Sequence, residues 1–424
     1  MNPDLPNDLS PNRVKRTLHR TFYSLRIRNF RLYFFGQLIS NTGNWLTNIA
    51  LTLLVLKLTK SGLDVGLLAA CQYGPILFLT LWGGAIADRV NKRKMLMLTQ
   101  SLEMMESAGL AVLAFIPHPP IYGLFLLALA GGIFLAFDNP LRRSFVSEMV
   151  PRDDIPNAVI LYSTIVNTSR IFGPLIAGAL VVSVGYGWCF AIDAMSYLAV
   201  LVSLLRMNPM QLFTVQRLTQ RKGEIKAGIK YILSIPVLWI DMAMLAVVGV
   251  LAYNFNITLP IFVTRSLHGS AVSYTAIYSF FSIGAVVTSL LIAHRSKITM
   301  KNVISGSLAL GIFMLVLGMA PGVYYALPTA LFLGMAGVLF TTSTTSIVQL
   351  ESNAGMRGRV LSVQTVFLVG SNAVGGPILG WIADQFGARV PIFIGAIACI
   401  IAASFGYLMS TRLSITNPNL KTEI

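Results

Sequence analysis

The chain has 424 residues, of which 55% are hydrophobic and only 11% are charged. Soluble domains carry about 25% charged residues, so this composition excludes an ordinary soluble protein and indicates a chain that crosses a membrane many times. The net charge of +16 would suit a nucleic-acid-binding protein, but the bases stand in short clusters between apolar runs, which is the pattern of membrane topology.

The N-terminal segment, residues 1–30, is polar and basic and lacks the apolar core of a signal peptide, so we interpret it as a cytoplasmic arm. Elsewhere, the three cysteines lie in apolar runs without metal-ligand spacing, and the four histidines are scattered. These features predict neither a metal site nor a cofactor. No nucleophile–base pair or phosphate-binding loop is visible, which argues against an enzyme and against ATP-driven pumping.

Twelve apolar segments follow the arm, each long enough to cross a bilayer at about 20 residues per helix. Turn residues and charges separate them, and we place them at 32–56, 64–87, 94–116, 121–141, 158–184, 187–206, 237–263, 272–293, 302–321, 324–348, 360–384 and 389–410. Most of the bases fall in one alternating set of loops, whereas the other set carries only Lys57, Lys60, Arg265 and Arg389. This bias predicts that both termini lie in the cytoplasm.

The first apolar segment carries a stripe of amide side chains. Asn41, Asn44 and Asn48 recur at helical spacing, and Gln37 precedes them by about one turn. Amides within a membrane helix either bind a substrate or water, or join neighbouring helices by hydrogen bonds, and the sequence leaves both readings open.

The loop after the second segment carries the most informative motif of the chain. It combines one acid with several bases, and its candidate gate residues are Gly84, Asp88, Arg89, Lys92, Arg93 and Lys94. An acid here could cap a helix, and the bases favour the cytoplasm. The run resembles the Gly-x-x-x-Asp-Arg-x-x-Arg/Lys-Arg/Lys loop between helices 2 and 3 of the major facilitator superfamily. The alternative is an ordinary basic cytoplasmic loop.

This resemblance implies an all-α membrane protein with twelve transmembrane helices in two pseudo-symmetric six-helix bundles. A constant shift in numbering places Glu148 on Glu351 and Gly173-Pro174 on Gly376-Pro377, as expected for such a repeat. We therefore assign residues 31–206 and 236–411 to the bundles, 207–235 to a cytoplasmic linker and 412–424 to a cytoplasmic tail. The resemblance also implies that the Asp88 loop holds an inner gate.

The fold implied by this resemblance suggests roles for two further sets of residues. Helix 1 lines the central cavity in this superfamily, so Gln37, Asn41, Asn44 and Asn48, with Asn254 from the seventh segment, are candidate substrate contacts. The linker mixes apolar residues with the bases Arg217, Arg221, Lys222, Lys226 and Lys230. This mixture favours an amphipathic helix on the membrane surface over a flexible basic linker.

Three acids in the third and fourth segments are candidates for proton coupling. Glu103 and Glu106 share one face of a helix because they are three residues apart. Asp138 belongs to a run that resembles the Asp-x-Pro-x-Arg motif of the superfamily branch with enterobactin-type siderophore exporters and macrolide efflux proteins. Asp138 could carry a proton, or it could be a structural hinge held by Arg142 or Arg143. Asp193 and Asp241 are expected near the membrane interfaces.

The fifth segment contains Arg170, Gly173, Pro174 and Gly178, which resemble the Gly-Pro motif of helix 5 in exporters and antiporters. Small residues allow close helix packing, and the proline bends the helix. Burying the charge of Arg170 within a membrane costs free energy, so we expect it to pair with Asp138, Glu103 or Glu106. Its role could be substrate binding, proton coupling or a purely structural ion pair.

Together these features predict a secondary active exporter of drug-like or siderophore-like small molecules in the bacterial inner membrane. We expect proton antiport by alternating access, with the substrate, protons and lipid as partners, no nucleic acid, and a monomer as the working unit. The alternatives are a dedicated siderophore exporter, a lysophospholipid transporter, and, from a different class, a non-transporting receptor or assembly factor.

Overall fold

The computed structural model describes residues 22–87, 90–213, 224–293 and 298–416, and over these ranges the chain is helical with no β-strand. The α-helices are α1 (Arg28–Thr59), α2 (Gly62–Ala87), α3 (Lys92–Phe115), α4 (Ile121–Val146), α5 (Ile155–Ser183), α6 (Tyr186–Arg206), α7 (Glu224–Ser234), α8 (Pro236–Leu251), α9 (Phe255–Arg265), α10 (Ala271–Ala293), α11 (Met300–Met319), α12 (Val323–Glu351), α13 (Ala354–Phe386) and α14 (Val390–Thr416). The prediction of an all-helical membrane protein is therefore confirmed.

Within the described ranges, ten helical segments are long and apolar enough to cross a membrane, with α8 and α9 forming one of them. The long helices α1 and α3 are not among the ten. Both carry polar side chains along their length, the amide stripe in α1 and the two glutamates in α3. The two long helices that are not among the ten thus hold half of the predicted site residues.

The predicted span 237–263 corresponds to one apolar segment, Pro236–Arg265, but this segment is divided into two helices, because α8 ends at Leu251 and α9 begins at Phe255. At the break, the Asn254 side chain donates to the carbonyl oxygens of Gly249 (3.0 Å) and Val250 (2.8 Å). An asparagine that binds these carbonyls competes with the helical ladder. Pro260 in α9 removes another backbone donor, which further weakens a continuous helix.

Helices from the two ends of the sequence pack directly against each other. Helix α2 lies along α13 and α4, and α5 lies along α10 and α1. A Cβ on Gly62 would lie 2.6 Å from the Gly380 carbonyl oxygen, and a Cβ on Gly66 would clash with the backbone of Gly376. The backbones of α2 and α13 therefore touch, which only glycine allows.

Many large apolar side chains point outward. Val112, Leu126, Val182 and Ile401 are each about 60% exposed. Such a belt would be an aggregation hazard in water, but it matches the hydrocarbon interior of a bilayer.

The segment between α6 and α8 is described only in part. Residues 214–223, with the predicted basic residues Arg217, Arg221 and Lys222, lie outside the described residues. Helix α7 follows, with Ile232 buried and Lys230 exposed, and it packs on α8 and α13. The Tyr231 hydroxyl accepts a hydrogen bond from the Asn353 backbone N–H at 3.0 Å, which joins α7 to the start of α13.

Candidate functional site

A polar cavity of about 310 Å³ lies among α1 to α6. Predicted site residues from three helices, α1, α3 and α5, meet there. Its walls include Asn41, Asn44 and Asn48 of α1, Gln72 and Tyr73 of α2, Glu103 and Glu106 of α3, Asn139 and Arg142 of α4, Arg170 of α5 and Tyr197 of α6. Gly132 of α4 lies so close to the Gln72 carbonyl oxygen that a Cβ there would clash with it. This contact brings α4 to α2 and helps close one wall of the cavity.

Arg142 is the centre of a buried charge network beside the cavity. Its Nη2 lies 2.9 Å from Glu103 Oε2, and its Nε forms an ion pair with Asp138 Oδ2, one helical turn earlier. Its Nη1 also donates to Gln37 Oε1 at 3.2 Å. Arg142, Asp138 and Glu103 are each at least 95% buried. Arg142 therefore holds together side chains from α1, α3 and α4.

The second oxygen of Asp138 is also fixed. Asp138 Oδ1 accepts hydrogen bonds from Thr99 Oγ1 at 2.6 Å and Gln100 Nε2 at 3.0 Å, both on α3. Gln100 Nε2 donates in addition to Glu103 Oε2 at 3.1 Å. Glu103 Oε1 is buried and has no hydrogen-bond partner among the described residues. We name Arg142, Asp138, Glu103 and Gln100 the Arg142 cluster.

Two more carboxyl groups lie next to this cluster. Glu106 accepts one long hydrogen bond, from Ser107 Oγ at 3.4 Å, and forms no ion pair with any described residue. Asp193 of α6 accepts from Thr47 at 2.6 Å, Ser107 at 2.7 Å and Ser196 at 3.2 Å. Within the ranges that the structure covers, no group of three His, Cys, Asp or Glu side chains is placed to hold a metal ion.

Asp193 and Asp241, which we expected near the membrane interfaces, are both fully buried within the protein. The apolar pattern of α6 and α8 could not show that Asp193 is surrounded by hydroxyl groups from α1 and α3. Asp193 is therefore a site residue that the sequence interpretation missed.

The amide stripe of α1 faces the cavity and also bonds along its own helix. Asn41 Nδ2 donates to the Gln37 backbone oxygen at 2.8 Å, and Asn48 Nδ2 donates to the Asn44 backbone oxygen at 2.9 Å. Asn44 Nδ2 reaches Tyr197 Oη at 3.3 Å. Gln37 is fully buried against Arg142 and, like Asn254 at the α8–α9 break, is not among the residues that line the cavity. Gln37 and Asn254 therefore remain candidate substrate contacts from the sequence, outside this cavity.

Arg170 forms none of the ion pairs that the sequence suggested. No described carboxylate lies within ion-pair distance of its guanidinium, and its buried Nε has no hydrogen-bond partner among the described residues. Arg142 occupies Asp138 and Glu103 instead. Arg170 lines the cavity together with Tyr73 of α2 and Trp45 of α1.

The remaining residues of the helix 5 motif are packed against other helices. A Cβ on Gly173 would clash with Trp45 of α1, and a Cβ on Gly178 would clash with Thr275 of α10. Pro174 is buried within α5. The motif thus lies where α5 approaches α1 and α10 together.

The predicted gate loop is described only in part, since Asp88 and Arg89 lie outside the described residues and Gly84 is within α2. Lys92 Nζ pairs with Glu148 Oε1 at 2.5 Å. Arg93 donates to the Leu204 carbonyl oxygen at 2.7 Å and so caps the end of α6, while Lys94 is exposed. The unpaired backbone carbonyl groups at the C-terminal end of a helix attract cations such as Arg93.

At the other end of the molecule, Asp384 of α13 binds the start of α2. It accepts from the backbone N–H groups of Gly62 (2.7 Å) and Leu63 (2.9 Å) and from Ser61 Oγ (3.1 Å). Arg265 Nη1 pairs with the same carboxylate at 2.8 Å. We call this set the Asp384 latch and this end of the molecule the Asp384 end. The sequence interpretation missed the latch, although Arg265 is among the few bases predicted on that side.

Comparison with known proteins identifies the family of the chain. The profile described as transmembrane secretion effector matches residues 19–420. The chain is 25% identical over 397 residues to a staphyloferrin A transporter of Staphylococcus aureus, an alignment that covers 91% of this chain and 97% of that protein. It is 23% identical over 390 residues to the enterobactin exporter EntS of Shigella flexneri, covering 90% and 89%.

Solved structures share the fold at low identity. A bacterial homologue of the human lysosomal transporter Spinster, inward-facing and unoccupied, aligns with TM-score 0.71 and 16% identity over 90% of this chain and 97% of that one. A POT family transporter in complex with 5-aminolevulinic acid aligns with TM-score 0.73 and 14% identity over 91% and 97%. These similarities show the fold and give no information about the substrate.

Proposed function

The chain belongs to the transmembrane secretion effector family of the major facilitator superfamily, and from this premise we propose that it exports a siderophore-like small molecule across the bacterial inner membrane. The family and its relatives are transporters rather than enzymes. Relatives aligned along nearly their whole length are named for siderophores, which favours this cargo over drugs or lysophospholipids. The observation that carries a transport role in this chain is the polar, charge-lined cavity between α1 and α6.

The architecture that we propose has twelve crossings in two six-helix bundles, residues 31–206 and 236–411. These twelve crossings are the ten apolar segments together with α1 and α3. Helix α1 packs along α5 and α6, and α3 packs along α4 and α6, so both lie alongside helices that are apolar enough to cross. A 24-residue helix such as α3 spans about 36 Å at 1.5 Å per residue, which exceeds the hydrocarbon thickness.

We propose that the two bundles rock about the cavity. The basic loops favour a cytoplasmic location for the end with Lys92, Arg93 and Lys94, so the Asp384 end faces the outside. There α2 and α13 touch through glycines and the Asp384 latch, which supports a state closed to the outside. The same protein would expose the cavity to the outside when these contacts separate.

Proton coupling is proposed to act through the Arg142 cluster and Glu106. One guanidinium faces two carboxylates, and Glu106 and Asp193 stand beside them without an ion pair to any described cation. Several ionised carboxylates in a buried site would repel each other strongly, so bound protons best neutralise the excess charge. Glu106 is the best placed acceptor, because it lines the cavity and pairs with no cation in the described part of the chain.

Transport in inside-out vesicles tests the function and this coupling together. With an acidic lumen, wild-type protein should accumulate a siderophore, whereas Glu106→Gln should lose gradient-driven uptake to background because the neutral amide cannot exchange a proton. Counterflow without a gradient should continue in Glu106→Gln. Asp153→Asn, an exposed acid outside the membrane helices, is the matched control. Wild-type vesicles that take up no siderophore would overturn the function, and coupled uptake by Glu106→Gln would remove Glu106 from it.

The role of Asp88 as an inner gate residue remains a proposal that rests on the resemblance of its loop. If Asp88 holds the inner side closed while the outer side is open, Asp88→Asn should lower the population open at the Asp384 end. The measurement is the distance between spin labels at Asp64→Cys and Phe386→Cys, placed on α2 and α13 in a background without the three native cysteines. An unchanged distance distribution in Asp88→Asn would show that Asp88 does not act as a gate.

A further inference from the structure

Arg170 is a charged residue that the proton-coupling network does not use. It lies in the middle of α5, lines the cavity, and makes no hydrogen bond or ion pair with any described residue. A guanidinium within a membrane is costly unless a counter-charge or water meets it. The cation is therefore available for a partner that none of the described residues supplies.

The acids of the cavity are turned to other partners. Glu103 pairs with Arg142 and accepts a hydrogen bond from Gln100. Glu106 accepts a hydrogen bond from Ser107, and Asp193 accepts from hydroxyl groups of α1, α3 and α6. The cavity thus has an acidic wall on α3 and α4 and a separate cationic point on α5.

Aromatic side chains stand at the cationic point. Tyr73 of α2 and Trp45 of α1 line the same cavity as Arg170. Trp45 also packs on Tyr278 of α10, with ring centroids 5.6 Å apart. Ser279 Oγ donates to the Ile171 carbonyl oxygen at 3.2 Å and so holds α10 beside Arg170. One phenol hydroxyl and two aromatic rings therefore share a cavity with the guanidinium.

We infer that Arg170, Tyr73 and Trp45 form a subsite for the anionic group of an aromatic carboxylate, within the cavity of the proposed exporter. A guanidinium fork matches a carboxylate with two parallel hydrogen bonds, and the Tyr73 hydroxyl adds a donor. The rings of Trp45 and Tyr73 offer faces for an aromatic ligand. The acidic wall disfavours a second negative charge, so the bound molecule carries its anion at the Arg170 end.

This subsite also touches both proposed bundles. Trp45 packs on Tyr278, and Tyr73 Oη accepts a hydrogen bond from Asn256 Nδ2 at 3.4 Å, so both contact segments that follow α7. A ligand held by these residues changes its contacts when the bundles move relative to each other. Binding energy at this point is thus able to favour one conformation, which is what a transported substrate must do.

A matched pair of ligands tests the subsite, namely 2,3-dihydroxybenzoate and its neutral methyl ester. Binding to the purified full-length protein in nanodiscs is measured by tryptophan fluorescence and calorimetry. Wild type should prefer the carboxylate, and Arg170→Gln should weaken carboxylate binding about 10- to 100-fold, the range for a lost hydrogen bond to a charged group. Arg170→Lys should retain part of the preference, and Tyr73→Phe should lose a smaller share. Arg206→Gln, an exposed base at the end of α6, is the control.

Equal wild-type affinity for the acid and the ester would overturn the inference, as would unchanged binding in Arg170→Gln. If Arg170→Gln does not fold, the Tyr73→Phe and Arg170→Lys variants still decide, because neither removes the bulk of the side chain. The inference rests on the proposed function but fails separately from it. Siderophore uptake by vesicles without any carboxylate preference would remove the subsite and keep the exporter. Arg170-dependent carboxylate binding without any uptake would keep the subsite and remove the exporter.

Discussion

Replacing Arg142 by glutamine is expected to abolish gradient-driven transport and to lower the free energy of unfolding by about 3–5 kcal/mol, the cost of breaking a buried ion pair. The side chain is the only described cation that contacts Asp138 and Glu103, and all three groups are buried. Without it, two carboxylates face each other with Gln100 as their shared donor. They would then bind protons tightly and stop cycling between charged and neutral forms.

Arg143→Gln is the matched control, because Arg143 is the next residue of the same helix and is exposed. It should leave transport and stability close to wild type. The double variant Arg142→Gln with Asp138→Asn should be more stable than Arg142→Gln alone, since it removes one of the two stranded charges. Thermal unfolding in detergent and proton-driven vesicle uptake give the two readouts. Wild-type transport by Arg142→Gln would show that the cluster plays no part in coupling.

The sequence could predict that Asp138 pairs with Arg142, but not that Arg142 also pairs with Glu103. An acid and a base four residues apart in α4 must be neighbours on a helix, so the Asp138–Arg142 pair was one of the predicted alternatives. The contacts of this pair with Glu103, Gln100 and Gln37 depend on how α1, α3 and α4 are rotated against each other. Local periodicity carries no information about that rotation.

The ion pairs predicted for Arg170 do not form with any described residue, and the reason is again tertiary packing. Arg142 pairs with two of the three acidic partners predicted for Arg170, Asp138 and Glu103, and tertiary packing alone decides between the two arginines. The break between α8 and α9 was missed for a related reason, since Asn254 within an apolar run looks like any other tolerated amide. By contrast, the ends of most other helices were predicted within a few residues, because apolar length and turn residues determine them locally.

Gly66→Ala is expected to shift the protein toward the state that is open at the Asp384 end. Its new Cβ would clash with backbone atoms of Gly376 and Pro377, which cannot rotate away as a side chain would. Overpacking of this kind costs about 1–3 kcal/mol, which corresponds to a population change of about 5- to 150-fold. Because the strain exists only while α2 and α13 touch, it acts on the closed state and leaves the open state almost unchanged.

Gly74→Ala supplies the matched control on the same helix, since nothing lies within 4 Å of a Cβ at that position. The spin-label distance between Asp64→Cys and Phe386→Cys should lengthen in Gly66→Ala and stay at the wild-type value in Gly74→Ala. Asp384→Asn should act in the same direction, because it weakens four hydrogen bonds to Ser61, Gly62, Leu63 and Arg265. Two variants that disturb one contact by different physics, one by bulk and one by charge, should therefore open the same end. If neither lengthens the distance, the α2–α13 contact is not what keeps that end closed.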